Sequence, residues 1–301
     1  MTATPSTTAQ TRRPASGRPQ ATRDNPFSVG FSTLVMVIFA VYFLIPIWWL
    51  IVATSKSREN LTTTNGLWFA SPFELFSNIG DVLTYQDGIY LRWLVNSIVY
   101  AGVGALGGTI FASMAGYALA KYVFPGREVV FNTILAGVLV PATALALPLF
   151  LMFSKVNGTD TFWSVFLPSL VSPFGVYLAR IYAAASVPNE LIEASRLDGA
   201  GEFRTFFTMS VRLMMPALIT IFLFQFVAIW NNFFLPLVML QDTKLYPVTL
   251  GLYTWNSTIT QAPHLQLFVI VGSLVSIAPL ILAFLALQRF WQSGLGAGGV
   301  K

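Results

Sequence analysis

The sequence contains no cysteine and only one histidine, His264, in 301 residues. Disulfides, thiolate metal sites and cysteine nucleophiles are therefore excluded, and clustered ligands for a zinc enzyme are missing. Charge is scarce as well. Asp, Glu, Lys and Arg make up 10% of residues against 55% hydrophobic, where a water-soluble domain carries about 25% charged residues. So little charge cannot cover a surface that faces water, and the expected solvent is the bilayer. No Gly-x-x-x-x-Gly-Lys-Ser/Thr run occurs, so a P-loop for ATP is absent. No acidic residue falls inside an apolar run, which leaves no buried carboxylate for proton or sodium coupling and no paired carboxylates for intramembrane hydrolysis.

Long apolar runs fill the space that charge leaves. A helix needs about 20 predominantly apolar residues to cross a hydrocarbon core. Six segments qualify: 29–53, 93–119, 129–153, 163–183, 211–239 and 265–290. Pro168 and Pro173 interrupt the fourth, a feature tolerated where neighbours satisfy the freed carbonyls. The expected fold class is all-α integral membrane, with one six-helix domain over 29–290. Residues 1–28 contain Arg12, Arg13, Arg18 and Arg23 among Thr, Ser and Pro and no apolar core, and read as a disordered cytoplasmic tail. Residues 291–301 read as a second short tail.

Lysine and arginine set the orientation. With the amino terminus inside, twelve cations lie on the cytoplasmic side and five outside, while the acidic residues split six and six. The bias resides in the cations, as the positive-inside rule requires, so both termini are expected in the cytoplasm. This distribution accounts for the net charge of +5 without nucleic acid as a partner. Trp48, Trp49, Trp93 and Trp163 fall at outer span ends, and Trp291 at an inner one. The arrangement leaves a long external loop at 54–92 and an internal loop at 184–210.

The internal loop carries the most information. Pro188 and Asn189 open a helix with Glu190 in its first turn, where the dipole favours negative charge. Asp198-Gly199 breaks it, because glycine readily takes the left-handed conformation of a sharp turn. Phe203, Phe206 and Phe207 follow at helical spacing. A helix–turn–helix with an apolar, aromatic face needs something to cover it.

The run Glu193-Ala194-Ser195-Arg196-Leu197-Asp198-Gly199-Ala200, followed by Phe203 and Phe206, resembles the EAA loop of ATP-binding-cassette importer permeases. Ser195 stands where the second alanine is usual, and Arg212 where a proline is common, with Pro216 present further on. Leu119 to Arg127, Trp230-Asn231-Asn232-Phe233 and Gly294 to Lys301 are similar to segments of carbohydrate permeases of the maltose-importer type.

The resemblance implies a type I importer permease fold in a multi-pass subunit of a prokaryotic plasma membrane. It implies a sugar importer in which Glu193, Ala194, Asp198, Gly199, Ala200, Phe203 and Phe206 couple to ATPase subunits. The implied partners are a second homologous permease, two ATPase subunits that carry ATP and Mg, and an extracytoplasmic solute-binding protein. No cofactor, metal or catalytic residue is expected in this chain itself.

Gln225, Trp230, Asn231 and Asn232 are candidates for the solute path, since hydroxyl-rich solutes call for amides and aromatics. For the amides, hydrogen bonding between helices is the competing reading. Gly104 and Gly108 read as a close helix contact, and His264 as a solvated interfacial residue. A secondary transporter of a polar solute is the alternative class, but neither its ion site nor its internal repeat is evident.

Overall fold

The computed structural model describes residues 26–297, and among these every regular element is helical. The tail expected at 1–28 lies outside the described residues as far as residue 25. The chain divides into two compact units, one ending at Ile47 and one beginning at Trp48. Helix α1, Pro26–Thr54, contributes to both. Its apolar stretch is long enough to span a membrane.

Past α1 the chain forms a folded loop rather than a loose one. Asn78 donates from Nδ2 to the carbonyls of Thr54 and Lys56 at 2.8 and 3.0 Å. Those are orphan acceptors at the end of α1. Lys56 is fully buried, with Nζ donating to the Asn65 carbonyl. A short helix, α2, covers Asn60–Thr63.

Helix α3, Leu75–Lys121, begins well before the span expected from Trp93. Its first turns are set off by a break at Tyr85–Gly88, where Gln86, Asp87 and Gly88 take φ of 48°, 57° and 77°. From Ile89 onward α3 is unbroken, roughly 50 Å at about 1.5 Å per residue.

The third expected span is not one straight helix. Helix α4, Arg127–Ala136, passes through a 3-10 turn at Gly137–Leu139 into α5, Ala142–Lys155, with a bend of 104°. Pro141 explains the bend. It offers no N–H to continue the helix and drives Val140 into an extended conformation (φ −81°, ψ 120°). Helix α6, Phe162–Ser169, keeps Pro168 within it, whereas Pro173 opens α7, Pro173–Ser186, whose N-cap Ser172 accepts from the Gly175 N–H.

Helices α8, Asn189–Leu197, and α9, Glu202–Thr205, form the loop between spans. A π-turn at Phe206–Ser210 joins α9 to α10, Val211–Trp230. The second helix of the loop is thus the first turns of the fifth span, because nothing between Thr205 and Val211 breaks it. The expected run to Met239 divides at Asn231, and α11 occupies Phe234–Met239. Helices α12, Val248–Ser257, and α13, Leu265–Ala297, complete the chain. Among the described residues, five helical runs are long and apolar enough to cross a bilayer, and the bent α4–α5 pair brings the total to six.

Packing centres on α3, whose small residues let neighbours approach closely. A Cβ on Gly116 would stand 2.5 Å from the Ala179 Cβ of α7. One on Gly108 would meet the Leu170 carbonyl at 3.2 Å and one on Gly104 the Ile229 side chain at 3.1 Å. The glycine pair therefore serves the close contact expected of it. Toward the other end of α3, Trp93, Tyr90 and Trp255 are buried together. Gly251 is packed against the Trp93 ring, where any Cβ would clash.

Candidate functional site

The α8–α9 loop is built from a helix stop and two clasps. Gly199 takes φ +76°. Its N–H donates to the Arg196 carbonyl, and the Ala200 N–H donates to that of Ser195, both at 3.0 Å. This is the Schellman closure, whose left-handed residue strains glycine least. Ser195 and Thr205 are both buried, and their hydroxyls meet at 2.6 Å across the two helices. The departure from the second alanine at Ser195 thus gives the loop a hydrogen bond that alanine lacks.

Two successive residues at the end of α3 hold this loop. Lys121 Nζ donates to the Val187 carbonyl, just past α7, and to Asn189 Oδ1 at 3.1 Å, at the start of α8. The Tyr122 hydroxyl donates to Glu202 Oε2 at 2.5 Å, at the start of α9. Arg196 Nε donates to Glu202 Oε1 at 2.7 Å, and the guanidinium lies 6.0 Å from the Tyr122 ring centre. Burial foremost, then the hydrogen bond to Glu202, pushes the Tyr122 hydroxyl well above the usual phenol range. Tyr122 thus keeps its proton and stays a donor at physiological pH.

The residues expected to couple fall on two sides of the loop. Glu193, Ala194 and Asp198 are exposed, and Phe203 is 71% exposed and Leu197 89%. Ala200 is half-buried. Phe206 points the other way. It is 4% exposed and packs 5.1 Å from the Tyr117 ring of α3, so it anchors the loop to its own chain. A cleft of about 300 Å³ opens between Met114, Tyr117, Tyr122, Glu202 and Phe203.

The candidate path residues do not gather into one site. Gln225 donates from Nε2 to the Ser169 carbonyl at 2.7 Å. Continuing α6 would require that carbonyl to accept from residue 173, and residue 173 is proline, so Gln225 supplies the missing donor. Trp230 is buried and stacks on Phe226. Exposed Asn231 donates back to the Val227 carbonyl at 2.9 Å. Asn232 accepts from the Leu235 N–H at 3.4 Å and starts α11. His264 is exposed and meets the Tyr85 hydroxyl at 3.2 Å. Among the described residues, no three His, Asp or Glu side chains gather as metal ligands.

Lys121, Tyr122, Arg196 and Glu202 were not singled out for the site by sequence reasoning. Helical spacing says nothing about contacts between distant segments.

Comparison with known proteins agrees with this architecture. The chain is 33% identical to the arabinooligosaccharides transport system permease protein AraQ of Bacillus subtilis, over 89% of this chain and 94% of that one. It is 29% identical to the lactose transport system permease protein LacG of Rhizobium radiobacter, over 92% and 97%. A solved chain from a bacterial ABC transporter involved in the import of the acidic polysaccharide alginate superimposes with a TM-score of 0.77 at 23% identity, covering 91% of this chain and all of that one. That likeness establishes the type I importer permease fold. Residues 104–295 match the family described as binding-protein-dependent transport system inner membrane component. With apolar helices enough for six spans among the described residues, a clasped loop before the fifth and relatives over nearly its whole length, this multi-pass membrane chain belongs to that family of transport permeases.

Proposed function

We propose that this chain is one permease subunit of an ATP-driven importer of sugars or oligosaccharides. The observation that carries the reading is the α8–α9 loop, which presents Glu193, Ala194, Leu197, Asp198 and Phe203 outward while Ser195, Thr205 and Phe206 fix it from within. An acidic and apolar face on a rigid mount suits docking against an ATPase subunit. Phe206 serves the mount, and Phe203 the face. The cation distribution puts this loop and both termini in the cytoplasm. Two ATPase subunits bind ATP and Mg, a second homologous permease completes the pathway, and an extracytoplasmic solute-binding protein delivers the solute.

Nucleotide-driven closure of the ATPases displaces the loops, and the two permeases rock between inward-open and outward-open states. Gln225, Asn231 and Asn232 are the path candidates, with Asn231 the most available because it is exposed. The named relatives point to oligosaccharides as the solute class: arabinooligosaccharides, lactose, and melibiose, raffinose and stachyose.

The test is uptake by a deletion strain and its complement across arabinotriose, lactose and raffinose, with and without depletion of cellular ATP. Co-purification of an ATPase with the tagged chain accompanies it. ATP-dependent uptake of at least one sugar is expected. Uptake driven by a sodium or proton gradient without ATP would establish a secondary transporter instead.

A further inference from the structure

Membership of the permease family does not say how movement of the α8–α9 loop reaches the far side of the chain. The end of α3 offers a route. Lys121 bonds the entrance of α8, and Tyr122, one residue later, bonds the entrance of α9. Both helices of the loop are therefore tied to one point on one helix. Arg196, from the last turn of α8, closes the ring through Glu202. Displacement of the loop as a body pulls on the end of α3, because neither α8 nor α9 can shift without breaking a bond to it.

The other end of the unbroken part of α3 is fastened just as directly. Trp93 Nε1 donates to the Thr243 carbonyl at 2.8 Å. Asn96 Nδ2 donates to the Lys244 and Tyr246 carbonyls at 2.9 and 3.0 Å. Ser97 Oγ accepts from the Val248 N–H at 2.7 Å. These partners are main-chain groups of the segment between α11 and α12, about 30 Å or more along the helix from Lys121.

We propose that Lys121 and Tyr122 are positioning residues that make α3 a strut, carrying displacement of the α8–α9 loop to the 243–248 segment. The proposal rests on the importer reading above. An unbroken helix resists compression along its axis, and Gly104, Gly108 and Gly116 let the helices beside α3 pack closely against it.

The experiment uses the permease–ATPase complex in nanodiscs and needs no knowledge of the solute. Because the chain has no cysteine, a thiol placed by Lys244→Cys, an exposed position inside the 243–248 segment, is the only one in this subunit. Its labelling rate by a membrane-impermeant maleimide is measured with and without magnesium ATP plus orthovanadate, and trapped ADP is quantified in the same samples. The otherwise native complex should change its rate on trapping. In Tyr122→Phe the change should shrink about three-fold, and in Lys121→Met/Tyr122→Phe roughly ten-fold, with ADP trapping and ATPase co-purification retained. A merely structural role would not move this readout while leaving trapping intact.

A full labelling change in the double variant overturns the strut. Loss of trapping or of co-purification in either variant also overturns it, since the dyad would then only shape the docking face. Should Lys121→Met prevent folding, Glu202→Gln, which breaks the ring through Arg196, takes its place beside Tyr122→Phe, and the same results support or overturn the strut. Failure of the otherwise native complex to hold an ATPase or trap ADP would instead sink the importer reading, and the strut with it.

Discussion

At its Arg92–Tyr100 end, α3 grips main chain; at its Lys121–Tyr122 end, it grips mostly side chains. Arg92, Trp93, Asn96 and Tyr100 donate to carbonyls between residues 243 and 246, and Ser97 accepts from an N–H at 248. Trp93, Ser97 and Tyr100 are buried while they do so. At the other end the ties are Tyr122 to Glu202, Arg196 to Glu202 and Lys121 to Asn189, with a single carbonyl at Val187, and most of these groups are open to water. Main-chain ties out of water fix a geometry, because breaking one leaves a desolvated group unsatisfied. Side-chain hydrogen bonds open to water, and the exposed Arg196–Glu202 ion pair beside them, hold weakly and exchange readily. The same helix thus has one end built to stay and one end built to be handed a load.

The largest effect is expected at the buried end. Trp93→Ala removes a fully packed indole beside Gly251 and one of the two donors to the Thr243 carbonyl, which keeps the Tyr246 N–H, with an expected loss of about 3–5 kcal/mol. The thermal midpoint in detergent and the yield of monodisperse protein check this, and an unshifted midpoint would show that the 243–248 segment does not depend on the indole. Gly199→Val comes next. A β-branched residue in the left-handed turn costs about 1–2 kcal/mol, and the distorted turn should weaken ATPase co-purification.

Ser195→Ala should cost about 1 kcal/mol. Ser195→Ala/Thr205→Val should cost less than the two single changes added together, because the second change removes the group that the first leaves unpaired. Thermal midpoints of the three variants in detergent decide between additive and coupled behaviour. Phe203→Ala closes the series with a stability change within about 0.5 kcal/mol, combined with weakened ATPase assembly. Undiminished assembly would remove Phe203 from the docking face.

The two ends of α3 should also differ in the side of the membrane they face. A cysteine at exposed Asp242 should react with an impermeant thiol reagent outside intact cells, and one at Arg127 should not. Labelling of Arg127 from outside would reverse the assignment of the two ends. Lys56 is a poor reporter, since the fold buries it.

The number of spans was legible from apolar length alone, and the turn at Gly199 from the Asp198-Gly199 pair. Apolar length hid three things. Pro141 sits in an apolar run, so the break between α4 and α5 left no mark on hydropathy. The left-handed turn at Gln86–Asp87 uses residues that tolerate such φ only at a cost, and no motif announces it. The first turns of α3 are too polar to read as a span, and the break at Tyr85–Gly88 sets them off from it. At the candidate site, Glu193 and Asp198 were singled out through the resemblance to the EAA loop, and the phenylalanines also through helical spacing. Tyr122 with Glu202, and Ser195 with Thr205, pair across distances in sequence that no period encodes. The value of the Ser195 hydroxyl depends on a residue ten positions away.

The Gln225 amide is already engaged by the Ser169 carbonyl, left open by Pro173. Of the two hydrogens on the Gln225 amide nitrogen, one is committed to the joint between α6 and α7, which leaves the other for a solute hydroxyl. A solute held by that second hydrogen would be tied, through one nitrogen, to the joint where α6 gives way to α7.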